Sequence, residues 1–511
     1  MKKIIAYFFF IALLVFTASC GSEREENGSL YPEDDPPSYI TDQYPETPDP
    51  EPIPLDIPPY NEYIVWLQID PQTNTVEGIS QVLYTNRTGA PLDEIVFRLY
   101  LNAFREDHLP LPFFEELKER VFRRGIDFGY MNISYAFLDN DELEYTLDGT
   151  VLTLHLPEPL MPDVTVRLIL QYHAYIPQIA HRTGANQNAM WFGKFLPILA
   201  FFDEDGWRKD NYYPAGDPFI METANFRVDI ITPIRYMVVG TGHRTEEVIG
   251  ETDTKVTTFV AHQVRDFSFA LSPEFNHAYT MTYSGIDIHL YYFTPGFQSD
   301  EVLNFSRFAM EYFENRVGTF PFSHVTIVEA ELMTDSASFS QMVLIDGSPI
   351  AQGNFWGLAH GLGDQWFANV IGADRIRYPW LDEGLTRFVQ AGIFFRTPED
   401  LRERMKQERA TIEHRSDLYL TTHLGEYTNW SHYVFAQGRK AMLMFYSLSH
   451  RMGYDNFWHL INRYYHQFSF QIATGADFFA LAEEIYEDSL EDFIDDWVRS
   501  GRVPELPELP D

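Results

Sequence analysis

His360 and Asp364 stand four residues apart in the run Gly357-Leu-Ala-His-Gly-Leu-Gly-Asp364. On a helix that spacing puts an imidazole and a carboxylate on one face. Glu383 follows on a second candidate helix, inside Trp380-Leu-Asp-Glu-Gly384. One nitrogen and two carboxylates form a ligand set that zinc accepts, and two anionic oxygens also suit harder ions such as Mn²⁺ or Mg²⁺. The chemistry these residues point to is therefore the binding of one divalent metal by His360, Asp364 and Glu383. The competing reading makes Asp364 a solvated or salt-bridged helix residue, with no metal. Gly361 and Gly363 lie within the first helix, and each glycine costs about 1 kcal/mol relative to alanine there. Either the segment tolerates that loss, or backbone and a neighbour approach closely at these positions.

With Gln365-Trp-Phe367 added, the stretch resembles the core of the M1 aminopeptidase family, the gluzincins. That family reads H-E-x-x-H, then eighteen residues, then E in a W-L-N/D-E-G context. The resemblance places His360 and Glu383 at the first and third metal-ligand positions and Asp364 at the second histidine. The family's general base falls on Gly361, which has no side chain to take a proton. The family's amine-anchoring glutamate falls on Ser338 in Ser336-Ala-Ser-Phe-Ser-Gln341, leaving a hydroxyl as the substrate-binding group; Glu329 and Glu331 are the nearby anions. The transition-state tyrosine falls on Phe435 in Phe435-Ala-Gln-Gly438, and Tyr433, two residues earlier, would point elsewhere on an α-helix. No residue at these positions is left in a catalytic role.

The elements that must carry these groups are legible on either side. Ile286 to Tyr292 reads as a strand, and Asp300 to Arg316 as a helix with Val302, Phe305, Phe308, Ala309 and Phe313 on one side. Gly318 to Phe322 is a turn, Val325 to Ala330 a strand, and helices follow from Asn354 to about Arg499, with breaks at Thr397-Pro398 and Gly453. Upstream, Tyr63 to Asp70 and Val151 to Leu156 alternate in part, as half-buried strands do. The resemblance extends over these parts, through Leu99 to Phe104, Asn211 to Pro214, Asp266 to Ala270 and Phe493 to Val498. The expected fold is α+β and multidomain: an N-terminal β-sandwich or saddle (60–280), a thermolysin-like α/β catalytic-type domain (281–450) and C-terminal helices (451–511).

Met1-Lys-Lys3, the apolar run Ile4 to Phe16 and Thr17-Ala-Ser-Cys20 form a secretory signal. It resembles a bacterial lipoprotein signal over 1–19, with Cys20 as the lipidated residue. Residues 20–59 are rich in Pro, Asp and Glu and read as a disordered spacer. Cys20 is the only cysteine in 511 residues, so no intrachain disulfide forms. A formal net charge of −38 argues against a nucleic-acid partner, because phosphate binding needs basic patches. These features lead to an extracytoplasmic, lipid-anchored protein of the bacterial cell envelope. Its cleft is expected to bind a peptide or protein without cleaving it. The alternatives are an active metallo-aminopeptidase with non-standard metal ligands, and a surface protein in which the cleft plays no part.

Overall fold

The structure is a computed structural model that describes residues 60–107, 110–249 and 253–508. The expected signal (1–19), Cys20 and the expected spacer (20–59) lie outside the described residues. Among those described, no helix is long and apolar enough to cross a membrane.

The N-terminal part is built on an eight-stranded sheet. At its centre Asn61–Asp70 runs antiparallel to Thr75–Thr85 and parallel to Ala224–Pro233. The sequence dictates the first of these strands locally. Tyr63, Val65, Leu67 and Ile69 are all buried, while the intervening Ile64 is half-buried and Trp66, Gln68 and Asp70 face out. Two four-stranded sheets complete this region, one of them centred on Leu92–Arg98 and Val151–Leu160. Their inner faces meet in one apolar core, in which Phe192 stacks on Phe269 with ring centroids 4.2 Å apart.

A five-stranded mixed sheet follows, in the order Asn276–Met281, Asp287–Tyr292, His324–Ala330, Met342–Asp346, Ser336–Phe339. The three inner strands are parallel and both edges antiparallel. His324–Ala330 and Met342–Asp346 are buried along their whole length, as expected of parallel strands covered on both faces. The crossover between the first two parallel strands is the helix Ser299–Arg316, which buries Val302, Phe305, Ala309 and Phe313. Phe308 falls outside that buried stripe, and its ring carries Arg396 instead.

The helical part packs beneath this sheet. Trp356–Asp364, the first site helix, runs on into a π-turn over Gln365–Val370. Trp380–Phe394, the second site helix, lies so close to Ala441–Met452 that a Cβ on Gly384 would fall 2.3 Å from that of Ala441. Thr397 caps Pro398–Ile412 through its hydroxyl, and Gly453, at φ 83°, separates Ala441–Met452 from Tyr454–Phe468. The architecture is thus mixed α+β, β-rich at the N-terminal side and helical toward the C-terminus.

Candidate functional site

The first site helix places Gly361 against the five-stranded sheet and Gly363 against the helix Ser299–Arg316. A Cβ on Gly361 would fall 2.6 Å from Val343 Cγ1, and one on Gly363 would fall 2.6 Å from Phe313 Cζ. Both glycines are there because a strand side chain and a helix side chain occupy the space. Their propensity cost is offset by this close approach.

His360 leaves the same helix toward the second site helix, with its side chain 18% exposed. Its Nδ1 donates to Gln390 Oε1 at 2.9 Å, seven residues after Glu383 on the second site helix. Its Nε2 lies 3.4 Å from Glu383 Oε2 and 3.8 Å from Asp364 Oδ1. The fold therefore brings the three expected ligand residues together. Asp364 is buried and accepts from Thr386 Oγ1 at 3.1 Å. The other oxygen of Glu383, Oε1, accepts from Arg387 Nε at 2.5 Å.

This pairing sets the charge states. Burial alone would lower the pKa of His360, but the fields of Asp364 and Glu383 outweigh it and raise it to about 9. Burial works against ionised Glu383 too, yet Arg387 and His360 hold it well below the usual carboxylate range. Burial pushes Asp364 up, against the pull of His360 and Arg375. The group is thus two cations, His360 and Arg387, set against two carboxyl groups.

A metal ion needs a bare imidazole lone pair and unengaged carboxylate oxygens converging at about 2.0–2.2 Å. Here His360 Nε2 lies 3.4 and 3.8 Å from the two carboxylates, and Arg387 holds one oxygen of Glu383. Among the described residues no group of three His, Cys, Asp or Glu is arranged to hold a metal ion. His360, Asp364 and Glu383 are neighbours, but as arranged this donor set does not fit a divalent ion.

Ser338 does not present its hydroxyl to the cleft for an incoming amine. Oγ donates to Gly361 O at 3.0 Å and accepts from Gln365 Nε2 at 2.9 Å and Asn369 Nδ2 at 3.0 Å. One donor and two acceptor sites exhaust a hydroxyl, so Ser338 braces the edge strand to the first site helix. The two nearby glutamates are engaged as well. Glu329 accepts from the backbone N–H groups of Phe293 and Thr294, at 2.8 and 2.9 Å. Glu331 pairs with Arg124 and accepts from Asn186.

The aromatic positions are placed otherwise than an α-helical register implies. Phe435 faces away, with Arg415 and Arg439 over its ring at 5.6 and 5.0 Å. Tyr433 is buried beside Gly216, whose Cβ, if present, would fall 2.6 Å from the phenol oxygen. Burial and the negative field of Glu383, Asp382 and Asp217 push its pKa well above the usual value, against Arg387. The phenol therefore shares the electrostatic surroundings of Glu383. The cause is local: Val434–Lys440 winds as a π-helix, so positions before and after it do not keep the α-helical phase.

Several site residues lie beyond what the sequence reading singled out. Arg387, an opposite charge four residues after Glu383, carried a legible signal in its helical spacing. Gln390 and Thr386 lie on the same helix but carry no distinctive pattern. Arg375 pairs with Asp382 at 2.5 Å and Asp217 at 3.4 Å, and Arg182 also pairs with Asp217. Lys194 pairs with Asp266, buried beneath Phe339. These partners are remote in sequence and only the fold unites them.

A β-rich part followed by a mixed sheet and a helical part is a fold shared with M1 metallopeptidases of known structure. The crystal structure of the M1 zinc metallopeptidase from Deinococcus radiodurans superposes with a TM-score of 0.67 at 16% identity, covering 88% of this chain and 96% of that one. A mutant of that enzyme bound to a Tyr-Ser-Ala substrate gives 0.64 at 15% identity, covering 89% and 96%. None of the curated protein sequences matches the chain. Residues 322–497 match the model of the peptidase family M1 domain, which assigns this part of the chain to that family.

Proposed function

We propose that the protein is an envelope-anchored, M1 peptidase-like binding protein, whose cleft holds a peptide or a segment of a partner protein without cleaving it. The observation that carries this reading is position 361. Where the family has its general base there is a glycine, and Val343 stands against the place a side chain would take. Loss of a general base alone costs roughly 10²–10⁴-fold in rate. The bound hydroxyl of Ser338 adds support, because no carboxylate stands at that position to hold a substrate's free amine. A peptide ligand has a precedent in the Tyr-Ser-Ala complex of the Deinococcus radiodurans mutant. Lipidation at Cys20 would supply the membrane attachment outside the cytoplasm.

One observation favours a second reading, an active metallo-aminopeptidase with non-standard ligands: His360 Nε2 lies within 3.8 Å of both carboxylates. The two readings separate in one assay. Purified protein incubated with a peptide library and Zn²⁺, Mn²⁺ or Co²⁺ is expected to retain peptides and leave them intact. Metal-dependent cleavage that Glu383→Ala abolishes would overturn the binding-protein reading.

A further inference from the structure

We propose that Arg387 is a resident counter-cation: its guanidinium stands in for a divalent ion in the His360–Asp364–Glu383 group, and removing it uncovers a metal site. Arg387 lies one helical turn after Glu383 and its Nε reaches Glu383 Oε1 at 2.5 Å. The second oxygen of Glu383 faces His360 Nε2 at 3.4 Å. One carboxylate oxygen of Glu383 is therefore held by the guanidinium, and the other faces an imidazole nitrogen.

The position is built for the guanidinium. Arg387 lies over Gly438, where a Cβ would fall 2.9 Å from Nε and 3.3 Å from Cδ and Cζ. A larger residue at 438 would displace it. Its side chain is 23% exposed and that of Glu383 14%, so the pair is shielded in a way that surface helical pairs are not.

The chemistry makes the guanidinium a persistent competitor. It does not lose its proton in proteins, so it holds Glu383 at every pH at which the fold survives. A divalent ion bound by neutral His360 and the two carboxylates would already be balanced. Arg387 would then be a surplus buried charge beside it, which is costly. Without Arg387, one imidazole and two carboxylates remain, a set that zinc accepts.

The test measures metal alone and not activity. The full chain, solubilised in detergent, is titrated calorimetrically with Zn²⁺ and Co²⁺, and bound metal is counted by elemental analysis after dialysis. Wild type is expected to retain no stoichiometric metal. Arg387→Ser should bind one equivalent, with affinity raised by at least about 10–100-fold, the range over which neighbouring groups tune metal sites. His360→Ala in that background should abolish it, and Arg387→Lys should stay closed to metal. Arg387→Gln serves if the serine variant does not fold. One equivalent in wild type, at an affinity that Arg387→Ser leaves unchanged, overturns the proposal, and so does a folded Arg387→Ser or Arg387→Gln protein that binds none. Peptide cleavage bears on the functional reading and metal stoichiometry on this one, so either can fail alone.

Discussion

At residue 361 the sheet and the helix compete for one volume. An exposed Gly→Ala change within a helix gains about 1 kcal/mol, but overpacking a close contact costs about 1–3 kcal/mol. Gly361→Ala is therefore expected to lower stability by up to about 2 kcal/mol, and Gly361→Glu by more, with no gain of peptidase activity. In a Val343→Ala background the Gly361→Ala cost should shrink by at least about 1 kcal/mol, a coupling that a denaturant double-mutant cycle measures. Lys440 poses a different problem. It is fully buried, and Nζ donates to Leu418 O at 2.9 Å and to Ser500 O, with no ion pair to a carboxylate among the described residues. Burial drives its pKa from 10.5 down to about 7. The unfolded chain then binds one more proton than the folded one between those two values, so stability rises with pH across that window. The penalty is complete below pH 7 and gone above pH 10.5. Lys440→Met should flatten the dependence there by about 1.4 kcal/mol per pH unit, read from urea midpoints at several pH values.

At the scale of elements, the Ser336–Phe339 strand, the first site helix and the π-turn after it are tied by a single hydroxyl. Ser338 Oγ joins Gly361 O, Gln365 and Asn369, and Gln365 further donates to Phe339 O at 3.0 Å. Removing that hydroxyl leaves buried amide groups short of partners. Ser338→Ala should therefore cost about 1–3 kcal/mol, seen as a lower denaturant midpoint at unchanged slope. A substrate-facing hydroxyl would give the opposite pattern, weaker peptide binding at unchanged stability. The Val434–Lys440 π-helix is the second decisive element. It turns Tyr433 toward the surroundings of Glu383 and leaves Phe435 to two arginines.

Across the whole molecule, one buried arginine links the β-rich part to the helical part. Arg265 donates to Met221 O at 3.0 Å, to Val370 O at 2.9 Å and to Gln471 O at 2.6 Å. Arg208 adds a buried pair with Asp374 at 2.8 Å, and Thr223 Oγ1 donates to Phe470 O at 3.0 Å. The described residues belong to one compact unit, so wild type should unfold in one calorimetric transition. Arg265→Met removes three hydrogen bonds across this junction, although Val370 O and Gln471 O keep backbone donors from Phe470 and Gly372; it should cost about 1–3 kcal/mol and split the endotherm into two as the parts uncouple. A single, unshifted endotherm in the variant would show that this junction does not hold the parts together.

The sequence by itself determined the local features. The four-residue spacing of His360 and Asp364, the Trp380 to Gly384 run, the alternation in Tyr63 to Ile69 and the apolar stripe of Val302 to Phe313 each follow from helical or strand periodicity, which neighbours along the chain establish. The pairing of Glu383 with Arg387 was open to the same reasoning. Tertiary structure decided the rest, because each remaining fact is a contact between distant segments. Val343 and Phe313 explain the two glycines of the site helix. The enclosure of Ser338 depends on two amides from the next turn. The direction of Tyr433 depends on a change of helical phase that no residue type announces. That Glu383 meets both a guanidinium and an imidazole was decided only when these groups were folded into one water-poor space, where every charge must find its opposite.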